Sequence, residues 1–180
     1  MTDRQSLIAA LSDYKTAFAE ESAFIPRFID LLQHPRSYHR DHLPGHITGS
    51  AWIINNDGSK VLLVKHAVLN KWLQPGGHAD GDENVSHVAM REANEETGLT
   101  NLTLAASGIL DIDIHRIPER KDLSFPAHDH YDIRFMFRTD ESDELKISDE
   151  STDLRWIGLT ELEKYNSEIS ILRLRSKLFK

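Results

Sequence analysis

The chain has 180 residues and a formal net charge of -8 at pH 7, with 39% hydrophobic and 28% charged residues. This length and composition suit one globular domain with a substantial core, and the negative charge argues against nucleic acid as the main partner, since that requires clustered Lys and Arg. The absence of cysteine excludes disulfides and zinc–thiolate sites, and without a long apolar run or a signal-peptide core we expect a cytoplasmic protein with no membrane partner.

Residues 4–34 have the apolar spacing of two helices. The two stripes comprise Leu7, Leu11, Tyr14 and Phe18, and then Phe24, Phe28, Leu31 and Leu32. Pro26 falls near the start of the second stripe, where the first turn of a helix tolerates proline. We favour packing of this pair on a sheet; a homodimer contact or a wall of a substrate cleft are the alternatives. We therefore expect an N-terminal helical extension and linker (1–43) and a main domain (44–180).

Strand-like segments alternate with turn signals in the main domain. The segments 47–55 and 61–66 flank an Asn-Asp-Gly-Ser sequence, which is a strong hairpin signal. Further strand-like runs cover 102–114, 131–138 and 154–157. Strands on both sides of a central helix, with helices at both chain ends, predict an α/β or α+β fold with a mixed sheet.

The last residues combine leucines and isoleucines with a basic cluster. The cluster comprises Arg173, Arg175, Lys177 and Lys180. We expect these side chains to form the solvated face and C-terminal end of an amphipathic helix, in preference to an RNA-binding patch.

The segment 84–97 predicts the central helix. Asp82 or Asn84 can cap its start, and Gly98 suits the left-handed position after its last residue. Upstream of this helix, Gly76 and Gly77 follow a proline, which predicts a turn where the backbone can approach a ligand.

Three carboxylates extend the apolar face of this helix. Glu92, Glu95 and Glu96 stand at i, i+3 and i+4, so their like charges repel, and the helix dipole adds to that cost. Carboxylate oxygens select hard cations such as Mg2+, which proteins commonly hold together with substrate phosphates. The alternative is a solvated acidic helix end in which Arg91 pairs with Glu95.

The residues from Gly77 to Leu99 follow the pattern Gly-x5-Glu-x7-Arg-Glu-Ala-x-Glu-Glu-x-Gly-Leu. This pattern resembles the signature of the Nudix hydrolase superfamily. The resemblance implies a mixed sheet sandwiched between helices and hydrolysis of a nucleoside diphosphate linked to another moiety. It also implies that Mg2+ or Mn2+ binds the carboxylates of Glu92, Glu95 and Glu96, with the carbonyl of Gly76 as a further oxygen.

Three more residues enter the expected catalytic site through the resemblance. Arg91 would hold Glu92 in place, and Glu83 would support the loop or join the outer shell of the metal. Glu150 precedes a strand, as does a loop carboxylate in many family members, and is expected as a fourth ligand or general base; the alternative is one more acid in the loop 140–153. We expect Glu92 or Glu150 to take the proton of the attacking water.

A polar face is predicted beside this site. Its candidate members are Asp111, Asp113 and His115 on one strand and His128, His130 and Asp132 on another. If these strands pair, the face could coordinate a second metal, donate to phosphate oxygens or hold a sugar; a solvated sheet face is the alternative. Trp72 is a further candidate for contact with a base or sugar, although the core is its favoured place.

The expected partner is a small nucleoside diphosphate derivative. A nucleotide sugar or an ADP-ribose-like compound comes first, because His and Asp side chains suit sugar hydroxyls. The alternatives are hydrolysis of nucleoside triphosphates or dinucleoside polyphosphates, and a non-catalytic nucleotide-binding sensor. An isopentenyl diphosphate isomerase of the same fold is a minor alternative, because the resemblance implies that it needs a catalytic cysteine and this chain has none.

Overall fold

The computed structural model describes residues 2–119 and 126–178. The helices are α1 (Arg4–Asp13), α2 (Ala19–Leu31), α3 (Val85–Thr97), α4 (Leu162–Tyr165) and α5 (Ile169–Lys177). The strands are β1 (Gly45–Asn55), β2 (Lys60–His66), β3 (Trp72–Leu73), β4 (Gly76–His78), β5 (Thr103–Leu104), β6 (Asp111–Ile117), β7 (His128–Thr139) and β8 (Ser151–Gly158). Every helix in the described ranges is too short or too polar to span a bilayer.

Strand β1 lies at the centre of a mixed sheet. It pairs in parallel with β7 along its whole length, from Gly45 opposite Asp129 to Asn55 opposite Thr139. It also pairs antiparallel with β2 and β4. Strand β2 continues the sheet to β3 and β8, and β7 continues it to β5 and β6. This mixed sheet with its helices confirms the predicted fold class.

The hairpin is confirmed, while one predicted strand is divided. Ile54 lies opposite Val61 across the β1–β2 turn, where Gly58 has φ 70°. The predicted run 102–114 instead forms two strands, β5 and β6, separated by bends. The bends contain Ala, Ser and Gly, which have a low preference for β-strands. The antiparallel ladder with β7 therefore resumes at Asp111.

Helices α1 and α2 pack into the main core. The side chains of Leu7, Leu11, Phe28 and Leu32 are fully buried in one cluster with residues of β1 and α3. The N-terminal segment therefore completes the core over one face of the sheet.

The expected place of Pro26 in a first helical turn is wrong. Helix α2 begins at Ala19, so Pro26 lies inside it. The proline removes a backbone donor from the bond to the carbonyl of Ser22. Ser22 is exposed, so water can solvate that carbonyl and the helix tolerates the loss.

The basic cluster at the C-terminus is not the solvated face that its spacing predicted. Arg173 is 2% exposed, and its guanidinium binds Asp111 at 2.8 Å and Asp113 at 3.0 Å. Lys177 pairs with Glu21 of α2. Helix α5 lies over the sheet face where β6 presents its acidic side chains, so these cations point inward; Lys180 lies outside the described residues.

Arg134 of β7 completes this buried ion-pair cluster. It contacts Asp111 at 3.2 Å, Asp113 at 3.1 Å and Asp132 at 2.8 Å. Burial raises the pKa of Asp111, but its ion pairs with Arg173 and Arg134 outweigh that effect and leave the pKa below its ordinary value. The carboxylate of Asp111 is therefore ionised at pH 7, and it depends on its buried cations.

Replacement of Arg173 by Ala tests this dependence. Because it leaves Asp111 and Asp113 buried without a main partner, we expect Arg173→Ala to lower the free energy of unfolding by about 3–5 kcal/mol. Urea unfolding at pH 7 measures the change. Arg175→Ala, two residues on in α5, is the matched control; its half-buried side chain donates to the carbonyl of Leu159 and contacts none of these aspartates, so it should change stability by about 1 kcal/mol or less. Equal stability of the two variants would contradict the structural role of the cluster.

Candidate functional site

Helix α3 forms where its sequence predicts it. The side chain of Asn84 accepts the N–H of His87 at its start, and Gly98 ends it in the left-handed conformation with φ 75°. Its apolar face packs closely on β1 at Gly49. Any larger residue there would not fit, because a Cβ at Gly49 would lie only 2.8 Å from the carbonyl oxygen of Val85. This approach brings the last two turns of α3 beside β4.

Two of the three predicted carboxylates turn towards the glycines of β4. Glu96 is 8% exposed and accepts the N–H of Gly76 at 2.8 Å. The carboxylate oxygens of Glu92 lie 2.6 Å from the position that a Cβ would take at Gly77. The side chain of Glu95 is 58% exposed and faces solvent. Only glycine at position 77 leaves room for the carboxylate of Glu92.

Arg91 joins two of these acids. Its guanidinium lies 2.8 Å from Glu92 and 3.1 Å from Glu95, and it donates to the carbonyl of His78 at 3.0 Å. The solvated-helix alternative predicted the ion pair between Arg91 and Glu95, and this pair is present. Arg91 also contacts Glu92 and orients its carboxylate towards β4.

The electrostatics of the carboxylates favour a bound cation. Burial raises the pKa of Glu96 to about 8, and the charges of Glu92 and Glu150 add to the rise, while the N–H of Gly76 opposes it. Burial also raises the pKa of Glu92. A divalent cation would relieve both the desolvation and the mutual repulsion. These oxygen donors therefore fit Mg2+ or Mn2+.

Glu83 contacts a residue that sequence reasoning missed. Its carboxylate accepts the backbone N–H of Arg4 at 3.0 Å and two guanidinium N–H groups at 3.1 and 2.9 Å. Arg4 also donates to the carbonyls of Leu32 and His34. No local pattern joins residues 79 positions apart, so only the fold shows that the N-terminal helices hold the loop before α3.

Glu150 lies on an exposed turn before β8. Its backbone carbonyl accepts the N–H of Ala67 at 2.9 Å. Its charge contributes to the raised pKa of both Glu92 and Glu96. The fold thus brings Glu150 within electrostatic reach of α3; its role as ligand or base stays a prediction.

Trp72 packs mainly within the protein. Its ring meets the ring of Tyr165 edge-to-face at 5.7 Å, and the guanidinium of Arg155 lies 5.4 Å from its centroid. Its backbone carbonyl accepts from the side chain of Asn166. These contacts favour the core alternative over a substrate contact.

The polar strands pair, but their face is not a solvated one. In the β6–β7 ladder, His115 lies opposite His130 and Asp113 opposite Asp132. The aspartates are occupied by the ion-pair cluster. Asp132 also accepts the hydroxyls of Thr48 and Ser50.

The histidine end of this face contains two residues that sequence reasoning missed. His46 lies opposite His130 in the β1–β7 ladder, and the ring of His78 lies 5.0 Å from that of His130. Burial lowers the pKa of His46 and of His78 to about 4, so both rings are neutral at pH 7. The alternation of His46 with Thr48 in β1 was a visible signal, but the partner strand was not.

A family model described as NUDIX domain matches residues 45–174. Over 139 residues, 77% of this chain and 81% of the relative, the chain is 24% identical to "Probable DHNTP pyrophosphohydrolase" of Lactococcus lactis. It is 30% identical over 104 residues to "Bis(5'-nucleosyl)-tetraphosphatase [asymmetrical]" of Mus musculus. This match covers 56% of this chain and 65% of the relative, so it spans just under two thirds of the relative's length.

The fold is also similar to that of solved structures. A C. elegans Ap4A hydrolase, solved as a binary complex, superposes with a TM-score of 0.59. The match covers 74% of this chain and 94% of that one at 19% identity. At this identity the superposition concerns the fold alone.

The contact between Gly77 and Glu92 gives a direct test of the carboxylate site. A methyl group at position 77 must displace the carboxylate of Glu92, so we expect Gly77→Ala to weaken Mg2+ binding by about 10–100-fold. Titration calorimetry measures the affinity. Gly108→Ala is the control, because a Cβ there meets nothing within 4 Å. Unchanged Mg2+ affinity in Gly77→Ala would remove Glu92 from the ligand set.

Proposed function

The chain belongs to the NUDIX family, and from this membership we propose that it is a divalent-metal-dependent hydrolase of a pyrophosphate linkage in a small nucleotide compound. The observation that carries the proposal is a pair of carboxylates, the buried Glu96 and the half-buried Glu92, held against Gly76 and Gly77. In a solvated acidic helix end, these two carboxylates would face water instead of packing against two glycines.

The metal ligands in this proposal are the carboxylates of Glu92, Glu95 and Glu96 and the carbonyl of Gly76. When bound, Mg2+ or Mn2+ lowers the pKa of a coordinated water and offsets the charge that develops on phosphoryl oxygens. Arg91 holds Glu92 in the orientation that faces the glycines.

The reaction forms a bond between water oxygen and phosphorus and breaks the phosphorus–oxygen bond of the anhydride. A carboxylate must accept the proton that the water loses. We assign this role to Glu150, because it is exposed while Glu92 is bound to Arg91. Glu92 is the alternative base. Glu83 acts on the site through the loop that it joins to Arg4.

We propose a different order of the expected substrates. The preference for a nucleotide sugar depended on aspartates free to hold sugar hydroxyls, and Asp113 and Asp132 are bound to Arg134. The names of the relatives specify DHNTP and bis(5'-nucleosyl) tetraphosphates. We therefore place nucleoside triphosphates and dinucleoside polyphosphates first, and nucleotide sugars and ADP-ribose second, with the 42% exposed His115 as their candidate contact. A cytoplasmic location and a homodimer stay predictions.

A substrate panel tests the activity and names the substrate class. With Mg2+ or Mn2+ we expect turnover of one class, reduced about 100-fold or more in Glu96→Gln and Glu95→Gln because each loses a charged oxygen donor. Glu163→Gln, at an exposed position of α4, is the control and should retain full turnover. If the native protein binds nucleotides but hydrolyses no compound, the sensor alternative replaces the enzyme.

Glu150→Gln separates a general base from a metal ligand. A lost base lowers kcat by about 100-fold or more while Mg2+ affinity stays unchanged. A lost ligand weakens Mg2+ binding. Asp149→Asn, the adjacent exposed acid, is the control and should leave both quantities unchanged. An unchanged kcat in Glu150→Gln would exclude Glu150 as the base.

A further inference from the structure

Three histidines from three strands meet at the N-terminal end of β1. His46 lies on β1, His78 on β4 and His130 on β7, and each offers a ring nitrogen within 4.8 Å of the other two. These strands are neighbours through β1, whose ladders place His46 beside His130 and Thr48 beside His78. The cluster is therefore fixed by the central pairing of the sheet.

One ring nitrogen of His46, a member of this cluster, has no hydrogen-bond partner among the described residues. Its Nδ1 lies 3.3 Å from the carbonyl oxygen of His42, which can only accept, so Nδ1 carries the hydrogen and Nε2 carries a lone pair. The ring is 0% exposed, and Nε2 has no hydrogen-bond partner among residues 2–119 and 126–178. A buried lone pair without a donor is costly, and a bound cation would satisfy it.

The neighbouring pair of rings already has the spacing of metal ligands. His128 Nε2 lies 3.2 Å from His130 Nε2. Two nitrogens on one tetrahedral Zn2+, each about 2.0–2.1 Å from it, stand about 3.3 Å apart. His128 Nδ1 contacts the carbonyl oxygen of Pro126 at 2.8 Å, so it too carries a hydrogen, and His128 Nε2 accepts the Nε2–H of His130, a hydrogen that a cation would replace.

The second ring nitrogen of His46 and of His128 contacts a backbone carbonyl, as is usual for histidine ligands of a metal. Histidine ligands usually donate their second ring N–H to a backbone carbonyl or a carboxylate, which fixes the tautomer. His46 has such a partner in His42, and His128 has one in Pro126. His115 is outside this arrangement, because its ring is 42% exposed and the ring nitrogens that lie within 4.8 Å of one another belong to His46, His78 and His130.

We propose that His46, His78 and His130, which adjoin the ring of His128, form a binding site for a transition-metal cation of the Zn2+ class. Imidazole nitrogens select such cations, whereas Mg2+ requires oxygen ligands. The site is thus distinct in chemistry from the carboxylates of α3. His78 directly follows Gly77 in β4, so a cation there would join β1, β4 and β7 beside the glycines that contact Glu92 and Glu96.

Zn2+ titration in a protein without the acidic site tests this inference. The background variant carries Glu92→Gln and Glu96→Gln, so that Zn2+ cannot use those carboxylates. We expect it to bind one equivalent of Zn2+ with a rise in Tm, and Co2+ to give the visible absorption of a four-coordinate site with nitrogen ligands. Addition of His46→Ala should weaken Zn2+ binding by more than about 100-fold.

The control is His87→Ala in the same background. Its ring is 61% exposed on α3 and pairs with Asp82, so its removal should leave Zn2+ affinity unchanged. If circular dichroism shows that His46→Ala does not fold, His78→Ala, at a half-buried position, replaces it. In the native protein, Zn2+ should perturb the NMR signals of the cluster among the 10 histidines. Absence of Zn2+ binding in the background variant, or equal affinity after loss of a cluster histidine and of His87, would overturn the proposal.

Discussion

The parallel pairing of β1 with β7 is the constraint on which the polar face of the sheet depends. It extends over the whole length of β1 and fixes which residue of β7 lies beside each residue of β1. In this register His46 meets His130, and the hydroxyls of Thr48 and Ser50 reach Asp132. A shift by one residue would turn every side chain of β1 to the opposite face. The register therefore determines the polar and the apolar face of the sheet together.

The two faces of β1 serve different purposes. Ile47, Ala51 and Ile53 face the core under α3, where Gly49 permits a close approach of the helix. The opposite face begins with histidines, continues through buried hydroxyls and ion pairs, and ends in the apolar cluster around Trp52. Helix α5 covers the ionic part of this face. There Arg173, and not water, is the partner of the buried aspartates Asp111 and Asp113. This covering keeps β6 and β7 in place beneath the histidines.

Local sequence rules predicted the elements well where local contacts decide them. The cap at Asn84, the left-handed Gly98 and the turn at Gly58 need only nearby residues, and all three occur as expected. The same rules failed for Arg173 and Pro26. Whether a cation on a helix faces water or a buried carboxylate depends on the neighbouring strand, and whether proline is tolerated depends on which face of the helix is exposed.

The sequence by itself determined the family signature, the carboxylate stripe of α3 and the mixed α and β composition, because each depends on spacing along one element. Only the tertiary structure decided the partners of that stripe. It joined Arg4 to Glu83 across 79 positions, buried Glu96 against Gly76, and brought His46 and His78 to His130. These contacts arise from strand order and register, which depend on the burial of the whole core. The residue spacing within a single segment therefore does not predict them.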